Sequence, residues 1–146
     1  MLERANSLGA VLTVAFYVLA ILVFVFRLLD RPAYARLAGW IELILALPLA
    51  YLLVTAAALE RPVLYRVQVG LMLAWLMVEL VLDYILRVQF REIRWAVIGY
   101  VVLYFAGAGG MLGVAAQAGR GWMLLSVVLF LVMAALAFVQ RAVTGL

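Results

Sequence analysis

Glu79, Asp83 and Arg87 recur every fourth residue inside a stretch that is otherwise apolar enough to cross a bilayer. In an α-helix successive members of such a series stand ~40° apart, so the three share one stripe. Gln68 and Trp75 fall near the same stripe, because the interval from Gln68 to Glu79 makes almost three whole turns. Ionisable groups are costly in hydrocarbon and face a protein interior, a water-filled cavity or a charged partner. At 1.5 Å per residue Glu79 lies ~12 Å along the axis from Arg87, toward the middle of a core ~30 Å thick. Glu42 lies ~9 Å past Arg36 on an earlier apolar stretch. Three carboxylates therefore share one half of a bundle, with Arg27, Arg36 and Arg87 as partners. This pattern supports a proton or cation path in which Glu79 is the protonatable centre, Asp83 and Arg87 neutralise each other, and Glu42 is a second acid across the bundle. Two other readings compete. The same groups could bond one another and fix helix register, or their oxygens could hold a divalent cation or polar ligand.

Composition fixes what must position these groups. Of 146 residues, 71% are hydrophobic and 12% charged, and the mean hydropathy is +1.26. Soluble domains are closer to 45–50% apolar and about 25% charged, so the chain reads as an integral membrane protein. Its net charge of +4 comes from arginine alone, and membrane topology accounts for it without a nucleic-acid partner. Cysteine and histidine are absent. That removes disulfides, thiol redox chemistry and the usual haem and His/Cys metal sites. Ser7 and Ser126 are the serines, with no histidine to activate either, and without lysine there is no phosphate-binding loop of the usual kind. The chain is read as non-enzymatic, with no cofactor.

Five spans are expected, at about 8–29, 37–59, 63–87, 95–117 and 122–140, as one transmembrane domain over 1–146. The first is too long for a signal-peptide core and reads as retained. Asp30-Arg31-Pro32 and Glu60-Arg61-Pro62 punctuate the chain alike, with Asp30 a natural N-cap and Pro32 in the first turn. Pro48 cannot bond the Ile44 carbonyl and should kink the second span. Ala118-Gly119-Arg120-Gly121 makes a tight turn. Short connections imply an all-α bundle of antiparallel neighbours.

Orientation follows from arginine. With five spans, Arg27, Arg31, Arg36, Arg87, Arg91, Arg94 and Arg141 share one side, and Arg4, Arg61, Arg66 and Arg120 the other. The positive-inside rule then predicts N-terminus out, C-terminus in, and a multi-pass protein of a bacterial inner (cytoplasmic) membrane.

The fourth span carries Ala106, Gly109, Gly110 and Gly113 at small-xxx-small spacing, a face that lets another helix approach closely. Span five, through Ser126, Ala134 and Ala137, is the expected mate. A homo-oligomer or a partner membrane subunit is the alternative, which would make the protein an accessory or scaffold subunit. Lipid or apolar-ligand binding between helices is a third functional reading.

Five spans in this length, with scattered Trp and Tyr, resemble the tryptophan-rich sensory protein/translocator protein family in size and topology. That family's Trp- and Pro-rich loop motifs have no counterpart here: Pro32, Pro48 and Pro62 stand singly. No residue role is carried over from it.

Overall fold

The computed structural model describes residues 2–85 and 94–144, with side chains described for 3–82 and 94–143. These residues are helical, with no strand among them. Six α-helices follow in order: α1 (Leu2–Leu28), α2 (Pro32–Ile44), α3 (Ala46–Ala56), α4 (Val63–Glu79), α5 (Arg94–Ala116) and α6 (Arg120–Thr144), with a π-helical turn at Leu80–Ile85 directly after α4. Five helical stretches are long and apolar enough to cross a membrane: Glu3–Leu28, Pro32–Ala56, Val63–Leu82, Arg94–Ala116 and Arg120–Val143. Each has at least the roughly 20 residues that a bilayer core demands.

The polar residues before position 8 are part of α1, not a lead-in to it. The second span is α2 and α3 together, interrupted at Leu45. Pro48 has no N–H for the Ile44 carbonyl, and the break falls within that missing bond. The chain recovers at once, with Leu49 N donating to Leu45 O at 3.1 Å.

The acid-Arg-Pro punctuation works differently from the N-cap expectation. Asp30 and Glu60 have φ of 56° and 54°, the left-handed conformation that follows many helices. Arg31 N donates to Phe26 O at 2.8 Å and Asp30 N to Arg27 O at 3.2 Å. The second turn repeats this: Arg61 N donates to Ala56 O at 2.9 Å and Glu60 N to Ala57 O at 3.2 Å. Both are Schellman closures of the preceding helix. The acid is thus a C-terminal cap residue, and α2 begins behind Arg31 with no side-chain cap.

One core cluster draws buried residues from all six helices, including Phe16, Leu43, Leu49, Met72, Met111 and Met133. Helix α1 lies against α5 in the opposite sense: buried Thr13 donates to Met111 O at 3.3 Å, and Tyr17, one turn on, donates to Ala108 O. A Cβ on Gly9 would come within 2.7 Å of Val114 Cγ1, so the two helices nearly touch there. Helices α4 and α5 are also antiparallel. Gly107 faces the Leu71–Met72 backbone, while Gly110 and Gly113 face Gln68. Away from the core, Leu47, Val54, Trp95, Leu131 and Phe138 are among the large apolar side chains left exposed. Bilayer-facing positions carry such residues without cost.

Candidate functional site

The α4–α5 seam changes character along its length. At one end it is glycine on α5 against the backbone of α4. Toward the start of α5 the glycines give way to Tyr104 and Tyr100, one turn apart, which meet Trp75. The Trp75 and Tyr104 rings lie 4.8 Å apart, near edge-on, and Phe16 closes on Trp75 from α1 at 5.7 Å. Bulky rings spread helices that glycines let close, and the spreading opens a cavity of about 130 Å³.

This cavity stands at the end of the bundle where α1 and α6 finish and α5 starts. Its chemical groups are Glu42 from α2, Glu79 from α4, Arg27 from α1, Tyr100 from α5, and Gln140 and Arg141 from α6. Glu42 is 3% exposed and Glu79 is 7% exposed, so both carboxyl groups are well inside the protein. The Tyr100 hydroxyl reaches Glu79 Oε1 at 3.4 Å. Glu42 is within electrostatic reach of Glu79, Arg27 and Tyr104. Arg27 is half-buried and Arg141 exposed, each in the last turn of its helix, where a cation also meets the negative end of the helix dipole. Glu42 Oε1 and Trp75 Nε1 are buried without a hydrogen-bond partner among the described residues.

Backbone irregularities flank both acids. Glu42 O accepts from Leu45 N at 3.1 Å, in the interruption between α2 and α3. Glu79 is the last residue before the π turn, and single π turns inside helices are frequent at functional sites.

Of the residues singled out by spacing, the structure brings Glu42, Glu79 and Trp75 together in the cavity. Gln68 keeps the same α5-facing stripe but sits along α4 against Gly110 and Gly113. Asp83 belongs to the π turn, and its side chain lies outside those described. Arg87 lies outside the described residues. On α5, the glycines at 107, 110 and 113 engage α4, not the fifth span expected as their mate. Ala106 is exposed, and a Cβ at Gly109 would meet open space.

Spacing missed Tyr100, Tyr104, Gln140 and Arg141 as cavity groups. The tyrosines were readable as a one-turn pair, but only the fold shows which helix they meet. It also missed Arg61, which is 6% exposed, donates to Asn6 Oδ1 on α1, and stacks 4.4 Å over the Tyr65 ring. That cluster clamps the second turn to the first helix at the end of the bundle away from the cavity.

The arrangement can bind and release protons at two carboxyl groups, balance them with two arginines, and hold a small polar guest among aromatic faces. Comparison with known protein families, curated proteins and solved structures finds no match, so the function rests on this geometry.

Proposed function

We propose that the protein is a proton- or ion-linked transporter or channel-like protein in which Glu42 and Glu79 form the proton-binding pair. The observation that supports this reading is their convergence, from two different helices, on one cavity within membrane-spanning segments. Intramembrane acids of this kind mark ion and proton pathways. The helix interruption beside Glu42 and the π turn beside Glu79 supply backbone that can rearrange without melting a whole span. In the orientation given by the arginine distribution, the cavity end faces the cytoplasm and the protein resides in the inner membrane. The groups at the cavity suit binding and proton exchange, with no activated nucleophile among them.

The test is pH-driven proton flux in proteoliposomes, with and without Na⁺, K⁺ and divalent ions, comparing the wild type with Glu79→Gln and Glu42→Gln. Flux that disappears in well-folded variants supports the reading. Loss of folding in both variants would instead make the acids structural, and flux unchanged by either substitution would overturn the assignment.

A second reading, an accessory or scaffold subunit, draws support from two positions on α5: Ala106 is exposed and a Cβ at Gly109 would meet open space. Gly109→Leu tests it cleanly, because that position has open space, whereas Gly113→Leu would strike Gln68. Loss of a co-purifying partner or of a homo-oligomer in Gly109→Leu would favour docking, and unchanged association would remove it.

A further inference from the structure

Two buried polar atoms at the cavity have complementary chemistry. Glu42 is 3% exposed and Trp75 is 2% exposed; the Glu42 Oε1 atom and the Trp75 indole N–H have no hydrogen-bond partner among the described residues, and both residues line the same cavity. A buried carboxylate oxygen calls for a donor, preferably charged, and an indole N–H calls for an acceptor. Leaving either without one is costly in a low-dielectric interior. The rings of Tyr104 and Tyr100, which line the same cavity, stand 4.8 Å and 6.0 Å from the Trp75 ring, and aromatic faces attract organic cations.

We infer that this cavity binds a small organic ammonium carrying an oxygen acceptor, with its N–H on Glu42 Oε1, its oxygen on the Trp75 N–H and its carbon body against the Trp75, Tyr100 and Tyr104 rings. The inference rests on the transport reading above and names its substrate class. Size narrows the class: a cavity of roughly 150 Å³ holds benzene, so about 130 Å³ suits a guest no larger than that, of about five non-hydrogen atoms. Amino alcohols meet these conditions. Arg27 lies within electrostatic reach of Glu42, so an ammonium would share that carboxylate with it, while Arg141 is exposed and free to carry its charge toward solvent. The charged and titratable groups facing Glu42 across the cavity are Glu79, Arg27, Arg141, Tyr100 and Tyr104. A proton on Glu42 would occupy the oxygen that the ammonium needs. Guest and proton therefore compete, and binding weakens as pH falls, which is the coupling an exchanger requires.

The experiment is calorimetric titration of the protein in lipid nanodiscs with ethanolamine and its mono- and dimethyl homologues, which keep an N–H, against neutral butanol and anionic propionate. Proton flux in liposomes is measured on the same preparations. The expected result is saturable binding of an ammonium probe that exceeds both controls and weakens at acid pH. It falls by about tenfold or more in Glu42→Gln and by about fivefold in Trp75→Phe, which keeps the ring and loses the N–H. Circular dichroism and thermal melting verify that both variants fold, and Trp75→Phe carries the test alone if Glu42→Gln does not. Absent ammonium binding, equal binding of butanol or propionate, or affinity unchanged in the variants would each overturn the inference. If flux through Glu42 and Glu79 persists in that case, the transport reading stands and only the substrate class falls; if flux is also absent, both fall.

Discussion

The side-chain amide of Gln68 occupies the place where a Cβ of residue 113 would stand, with its Cδ 2.9 Å from that position. A side chain at 113 therefore needs the Gln68 amide to swing away, which the free end of a flexible side chain can do, whereas a Cβ at Gly107 would press on the Leu71–Met72 backbone at 3.2–3.4 Å. We expect Gly113→Ala to destabilise the protein by no more than about 1 kcal/mol, the low end of overpacking costs, because Gln68 can re-orient. Gln68→Ala in the same chain should relieve most of that loss, because the two residues share one volume. Detergent-titration unfolding of both single variants and the double variant measures the coupling; additive losses would show that the seam is set elsewhere.

Asp30 and Glu60 hold left-handed backbone that glycine adopts without strain. Asp30→Gly and Glu60→Gly should each stabilise the fold by about 0.5–1 kcal/mol, since the Schellman bonds belong to the backbone and survive the change. Thermal midpoints check this. A loss of stability would mean that the carboxylates contribute more than the backbone strain costs.

Tyr17 is fully buried on α1 and donates to the Ala108 carbonyl on α5. Tyr17→Phe removes that bond while keeping the ring against Phe16 and Phe130. Interhelical hydrogen bonds in membranes contribute about 0.6 kcal/mol on average and up to about 1.7, so a loss in that range is expected in the same unfolding assay. Proton flux should be unchanged, because the bond lies outside the acid pair.

Pro48→Ala restores a donor for the Ile44 carbonyl and should let α2 and α3 join into one helix. Amide exchange around Leu45 should slow. If the interruption gives Glu42 its freedom to move, flux should fall several-fold although neither acid has been touched. Unchanged flux would confine the break to a packing role.

Hydropathy made the five spans legible because bilayer crossing imposes a length and an apolarity that few other structures share. The pairing of Glu42 with Glu79 was legible too, since chain direction and depth alone put both acids in the same half. What failed did so for local reasons. Asp30 reads equally as the start of one helix or the end of another, and only the backbone angle decides. The π turn at Leu80–Ile85 went unforeseen, because nothing in LVLDYI announces one. The glycine face was plain in the sequence, but its mate was not, because small residues say that something comes close without naming it. Trp75 was found from its stripe, while Tyr100 and Tyr104 needed the neighbouring helix in place.

The change from glycine to tyrosine along α5 has a kinetic consequence. Beyond the rings of Trp75 and Tyr104, the interior is filled by Phe16, Met72, Leu76 and Met111, all essentially inaccessible. Beyond Trp75 and Tyr104 the cavity is accordingly plugged by side chains. A solute entering it has no continuous aqueous lane to follow. Passage would need the plug and the mouth to open in turn, so movement should be turnover-limited and saturate with concentration, where an open pore would conduct in proportion to its driving force.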